Sequence, residues 1–92
     1  MKFMTTWSVR PGATQEAVDR FLAGYAEPVE GATLLGRWHA IDVSGGFTLS
    51  ETSDPASLYR NAAQWADVIE LKTVVVLEDG AVGPILASVF KK

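Results

Sequence analysis

Thr33-Leu34-Leu35-Gly36-Arg37-Trp38-His39-Ala40-Ile41-Asp42-Val43-Ser44-Gly45-Gly46-Phe47-Thr48-Leu49-Ser50-Glu51-Thr52 reads as a β-hairpin, and this hairpin decides the fold. β-Branched and aromatic residues fill both arms, Thr33–Val43 and Phe47–Thr52. Ser44-Gly45-Gly46 supplies the turn between them. On its N-terminal side, Ala26–Gly31 with Pro28 reads as a loop. Before it, Val18, Phe21, Leu22 and Tyr25 recur at i, i+3, i+4 and i+7, one stripe of an amphipathic helix opening near Thr14. Phe3–Val9 reads as a strand, stopped by Arg10-Pro11-Gly12. On the C-terminal side, Asp54-Pro55 starts a second helix, with Asp as N-cap and Pro at the first helical position. Leu58, Ala62, Trp65 and Ile69 are expected to form its buried face. Leu71–Glu78 reads as a further strand and Asp79-Gly80 as a turn. Ala81–Phe90 is expected to be a short helix broken near Gly83-Pro84.

The order β-α-β-β-α-β with a C-terminal helix is the split-βαβ, ferredoxin-like pattern, an α+β fold on one antiparallel sheet. Residues 1–92 are expected to form a single domain. Right-handed crossovers place both main helices on the same face of the sheet. Yet the strands are apolar on both sides: Leu71, Val75 and Leu77 against Val74 and Val76, and Leu35, Ile41 and Val43 against Leu34, Trp38 and Ala40. A sheet greasy on two faces needs cover on both. The expectation is a homodimer, two sheets face to face as a dimeric α/β barrel burying about 1,200–2,000 Å² in total. A C-terminal helix folded back over the second face is the competing arrangement.

Composition narrows the function classes. The chain has 92 residues, 48% of them hydrophobic, with three tryptophans, four phenylalanines and no cysteine. Disulfides and thiolate metal sites are thereby excluded. The formal charge is −3, with no basic run beyond Lys91-Lys92, which argues against a nucleic-acid surface. No apolar run approaches the roughly 20 residues of a membrane helix. Arg10-Pro11 cuts short the faint likeness of Met1–Met4 to a leader, so a cytoplasmic location is expected.

The chain's single histidine sits mid-hairpin, and an imidazole titrates near neutrality without help. Pairing Val43 with Phe47 also pairs Ile41 with Leu49 and His39 with Glu51. A two-residue slip puts Arg37 opposite Glu51 instead. In either register Arg37, His39 and Glu51 share a face, unless Gly36 marks a bulge. A carboxylate beside an imidazole fixes its tautomer and raises its pKa, so these three are the candidate acid–base group. Against this stands the commoner use of such residues as cross-strand glue. Trp38, Thr48 and Ser50 are expected on the opposite face, the makings of a small-molecule pocket to which Trp7 and Tyr59 could add. One histidine without cysteine makes no metal site, Gly45-Gly46 is too short for a phosphate loop, and no cofactor is expected.

Met1-Lys2-Phe3-Met4 with Trp7, Leu34–His39, Gly45-Gly46-Phe47, Glu51-Thr52-Ser53-Asp54-Pro55 and Trp65-Ala66-Asp67 resemble, in order and spacing, the small bacterial and phage proteins filed as domain of unknown function 3303. The resemblance spans nearly the whole chain. It implies the ferredoxin-like fold and the dimeric barrel, and no established activity. Relatives by fold include cofactor-free monooxygenases, isomerases and cyclases, a breadth that cannot choose a chemistry. Two functions follow as expectations. One is a homodimer binding a small organic molecule, with cofactor-free catalysis at His39. The other is a non-catalytic binding or accessory module whose strand residues only hold the dimer.

Overall fold

The turn at Pro11-Gly12 and the helix start at Asp54-Pro55 interrupt the chain as expected, whereas Gly45 and Gly46, expected in a turn, lie in a strand. A computed structural model describes residues 1–26 and 30–91. The elements are β1 (Lys2–Val9), α1 (Thr14–Leu22), β2 (Thr33–His39), β3 (Gly45–Glu51), α2 (Pro55–Trp65), β4 (Ile69–Val76) and α3 (Asp79–Phe90). All strand pairs are antiparallel and the sheet order is β2-β3-β1-β4, the ferredoxin-like arrangement. Of the expected loop at Ala26–Gly31, residues 27–29 lie outside the described residues.

Several expectations need correction. β2 ends at His39, because Ala40–Ser44 form the hairpin loop: the Ala40 N–H donates to the Gly45 carbonyl (2.8 Å) and the Val43 N–H to the Ala40 carbonyl (3.1 Å). Ile69 belongs to β4, paired with Val9, and not to the face of α2. α1 closes at Leu22, leaving Tyr25 beyond its end. α3 runs unbroken through Pro84 and takes in the expected turn at Asp79-Gly80. Gly83 carries no Cβ to meet the proline ring, which removes much of the usual bar to a helical residue before proline.

The register of the hairpin is also corrected. Leu34 pairs with Ser50 but Gly36 with Leu49, so Leu35 is an extra residue in β2, and His39 then falls opposite Gly46. One bulged residue flips the parity of everything beyond it. Neither expected pairing of Glu51 occurs; its partners are Thr33 and Lys2. The bulge was the stated exception, placed one residue away at Gly36.

Ladder partners share a face, so the sheet reads in rows. On the covered face one row is Arg37, Thr48, Thr5, Thr73, and the next is His39, Gly46, Trp7, Leu71. Two of the three threonine hydroxyls of the first row, those of Thr5 and Thr73, are hydrogen-bonded at 2.8 Å. Both α1 and α2 pack on this face. Ala17 and Trp65 meet Val68 and Ile69 there, with Trp7, Val9 and Leu71 against them. The turn into α2 is locked by buried hydroxyls. Thr52 donates to the Gly31 carbonyl (2.7 Å) and accepts from the Asp54 N–H (2.9 Å), while the Asp54 carboxylate caps the Ala56 N–H (3.1 Å).

The other face carries Met4, Trp38, Phe47, Leu49, Val74 and Val76 around its middle, and among the described residues no helix covers it. α3 buries none of its residues. It stands away from the sheet and draws the molecule out to 54 Å by 28 Å by 18 Å. The radius of gyration is 15.8 Å, against about 12 Å for a compact chain of this length.

Candidate functional site

Helix α1 does not close down on the hairpin end of the sheet. Its apolar stripe, which reads in the sequence as core, leaves Val18 and Phe21 about 40% exposed and Leu22 and Tyr25 more so. The gap is a cleft of about 360 Å³. Trp7 and His39 form its floor, Val18 and Phe21 one wall, Trp65 its inner end and Val43 its rim.

Gly46 makes room for the floor. It is the ladder partner of both His39 and Trp7, and a Cβ there would lie 2.6 Å from the Trp7 indole and 2.2 Å from the Trp38 carbonyl oxygen. With no side chain at that position, the indole lies over the strand and meets His39. The imidazole stands edge-on to two rings, Trp7 at 5.4 Å and Phe21 at 5.3 Å between centroids, the T-shaped geometry that aromatic quadrupoles favour. His39 is nonetheless exposed and faces the open cleft.

Arg37, one turn of the pleat away on the same face, also lines the cleft. Its guanidinium donates to the Ala26 carbonyl and lies over the Phe21 ring, 5.7 Å from the centroid, a cation–π contact. Among the described residues no carboxylate lines the cleft, so Arg37 and His39 are its ionisable groups there. The rim loop is held by Asp42, whose carboxylate accepts from the Ser44 hydroxyl and from the Ser44 N–H (3.0 Å). Those two bonds hold its pKa below the usual carboxylate range. Val43, in this loop, has φ 68°, a left-handed conformation rare for a β-branched residue.

Arg37, His39 and Trp7 therefore come together, whereas Glu51 lies on the opposite face at the far end of β3. Thr48 sits beside Arg37 in the sheet, and Ser50 one row further from His39. Both are on the covered face, with Arg37 and His39, and not with Trp38 as expected. Trp38 is on the open face, half-exposed, its ring folded over Gly36. Tyr59, 78% exposed on α2, borders a separate shallow groove. Phe21 is the site residue that sequence reasoning missed. Its signal was a helical apolar stripe longer than the small covered core could bury. Among the described residues no group of three or more His, Asp or Glu is placed to hold a metal ion, and no helix is long and apolar enough to cross a membrane.

The chain resembles several solved structures. Rv0793 from Mycobacterium tuberculosis is 13% identical, with 84% of this chain and 94% of that one covered at a TM-score of 0.49. PA3566 from Pseudomonas aeruginosa is 18% identical, covering 84% and 93% at 0.46. SnoaB, a cofactor-independent oxygenase from Streptomyces nogalater, is 14% identical, covering 84% and 92% at 0.39. None of these is similar enough to carry an argument about activity. No curated protein matches the chain. The sequence profile described as Domain of unknown function (DUF3303) matches residues 1–90, and the chain belongs to that family.

Proposed function

We propose that this protein is a homodimeric binding protein that takes a small, mainly apolar organic molecule into the cleft beneath α1. One observation carries the reading: an apolar helix stripe held off the sheet over a gap of about 360 Å³ with few polar groups in it. Ligand pockets have this character, concave and apolar with a small number of oriented polar groups. A well-packed core would instead close such a gap, since interiors tolerate few voids larger than a water molecule.

The separation of Glu51 from His39 favours binding over acid–base catalysis by a dyad. His39 then serves as a hydrogen-bonding group for the ligand. The same geometry weakens the reading in which the strand residues only hold a dimer, because Arg37 and His39 lie on the covered face.

The test is titration with the neutral fluorescent probe N-phenyl-1-naphthylamine. The wild-type protein is expected to bind it saturably, with quenching of tryptophan emission. Val18→Trp fills the cleft from a partly exposed wall position and is expected to abolish binding without unfolding the chain. Equal binding by the variant would place the probe elsewhere and overturn the reading.

A further inference from the structure

The cleft is apolar but not electrically neutral. Arg37 is permanently charged and half-buried. It spends one N–H on the Ala26 carbonyl and rests one face on Phe21. Among the described residues the ion pairs are Lys2–Glu78, Arg20–Glu16 and Arg20–Asp67, and none involves Arg37. The guanidinium carries five donors in a fixed fork, so it keeps several for a ligand. A cation held partly out of water with no counter-ion among the described residues is costly, and an anion that reaches it recovers that cost. His39, whose side chain lines the same space, adds a donor. No described carboxylate repels a negative charge from the cleft. On the apolar side, the edge-on packing of His39 between Trp7 and Phe21 sets flat surfaces around the gap.

We propose that the ligand of this cleft is a flat, ring-bearing molecule carrying one ionised oxygen group, a carboxylate or phenolate. The rings lie among Trp7, Phe21 and Val18, and the anionic oxygen is bound by Arg37 with His39 as second donor. This rests on the cleft being a binding site at all, and the test separates the two claims.

The probes are 2-naphthoate, 2-naphthamide and 2-naphthylmethylammonium, which share one ring system and differ in charge. Wild-type protein at low salt is expected to bind naphthoate at least about tenfold more tightly than the amide, the scale of one hydrogen bond to a charged group, and to bind the ammonium probe most weakly. Added salt weakens naphthoate alone. Arg37→Gln keeps an N–H for the Ala26 carbonyl but removes the charge. It is expected to bring naphthoate within about threefold of the amide. Equal affinity for amide and naphthoate in the wild type overturns the ligand class and leaves the cleft reading standing. A preference that survives Arg37→Gln overturns the assignment to Arg37. Failure of all three probes to bind overturns both.

Discussion

Val43 concentrates several of these arguments in one residue. Its backbone is left-handed, at φ 68°, where the Cβ of an L-residue crowds its own carbonyl at a cost of about 1–2 kcal/mol. Its side chain is 63% exposed, so packing returns little of that cost. The conformation is held by neighbours: Val43 N–H to the Ala40 carbonyl, and the Ser44 carbonyl accepting from the Val9 N–H at 2.8 Å. Strain kept at the rim of a cleft is a common mark of a functional loop. Asparagine enters this region far more readily. Val43→Asn is accordingly expected to stabilise the chain by up to about 1 kcal/mol in a urea melt. A fall in stability would show that the valine side chain contributes more than its exposure suggests. Gly46 has the opposite logic: the absence of a side chain shapes the floor, and no neighbouring sequence pattern marks it as doing so.

The elements show what was legible and why the rest was not. Strands, helices and their order could be read because strong punctuation separates several of them: Pro11-Gly12 and Asp54-Pro55 each leave the backbone few choices. Pairing across the hairpin could not, because one extra residue at Leu35 costs little locally yet reverses which side every residue beyond it faces. The turn falls at Ala40–Ser44 and not at Ser44–Gly46, which slides Glu51 six residues along β2 to face Thr33, and the bulge then puts Thr48 and Ser50 on the face of Arg37. Arg37, His39 and Trp7 were identified in the sequence by residue type, and Phe21 was hidden because an apolar helix stripe looks the same over a core and over a cleft. α1 itself is tethered by ions. Arg20 grips Asp67 through two hydrogen bonds of 2.8 and 2.6 Å, reaches the Gln64 carbonyl, and pairs with Glu16 on its own helix. The contact with Arg20 holds the Asp67 carboxyl below its ordinary range. A depressed carboxylate contributes stability that is present above its unfolded pKa of about 4 and is lost as pH falls through the lower folded value. Asp67→Asn is therefore expected to melt below the wild type at pH 6–7, with the gap shrinking below about pH 4. A gap that stays constant down to pH 2 would show that the pair contributes through packing instead.

For the whole molecule the decisive quantity is surface. A monomer of 9.9 kDa ordinarily exposes about 5,200 Å², whereas this chain exposes 6602 Å², about 1,400 Å² more. Two uncovered apolar regions contribute to it. One is the open sheet face, with Trp38 56%, Phe47 50% and Val74 45% exposed. The other is α3, with Ile85, Leu86, Val89 and Phe90 between 49% and 70% exposed. α3 does not fold back on the sheet, so neither region is covered among the described residues. A second copy can cover both at once, sheet against sheet with each α3 laid across its partner. Hiding the excess on two chains would bury about 2,800 Å², within the range of obligate homodimers, about 2,000–5,000 Å², and above the 1,200–2,000 Å² first expected. Light scattering is expected to give about twice the chain mass at micromolar concentration. Val74→Asp on the open face and Leu86→Asp on α3 touch separate regions, 12 residues apart in sequence, and each places a charge where the partner would dry it. Both are expected to yield single copies at the same concentration. If Leu86→Asp alone dissociates the pair, α3 binds α3 and the sheet stays open; if wild-type protein scatters as one chain, the homodimer falls. The cleft would survive either outcome, because α1 and the covered face of the sheet build it from one chain.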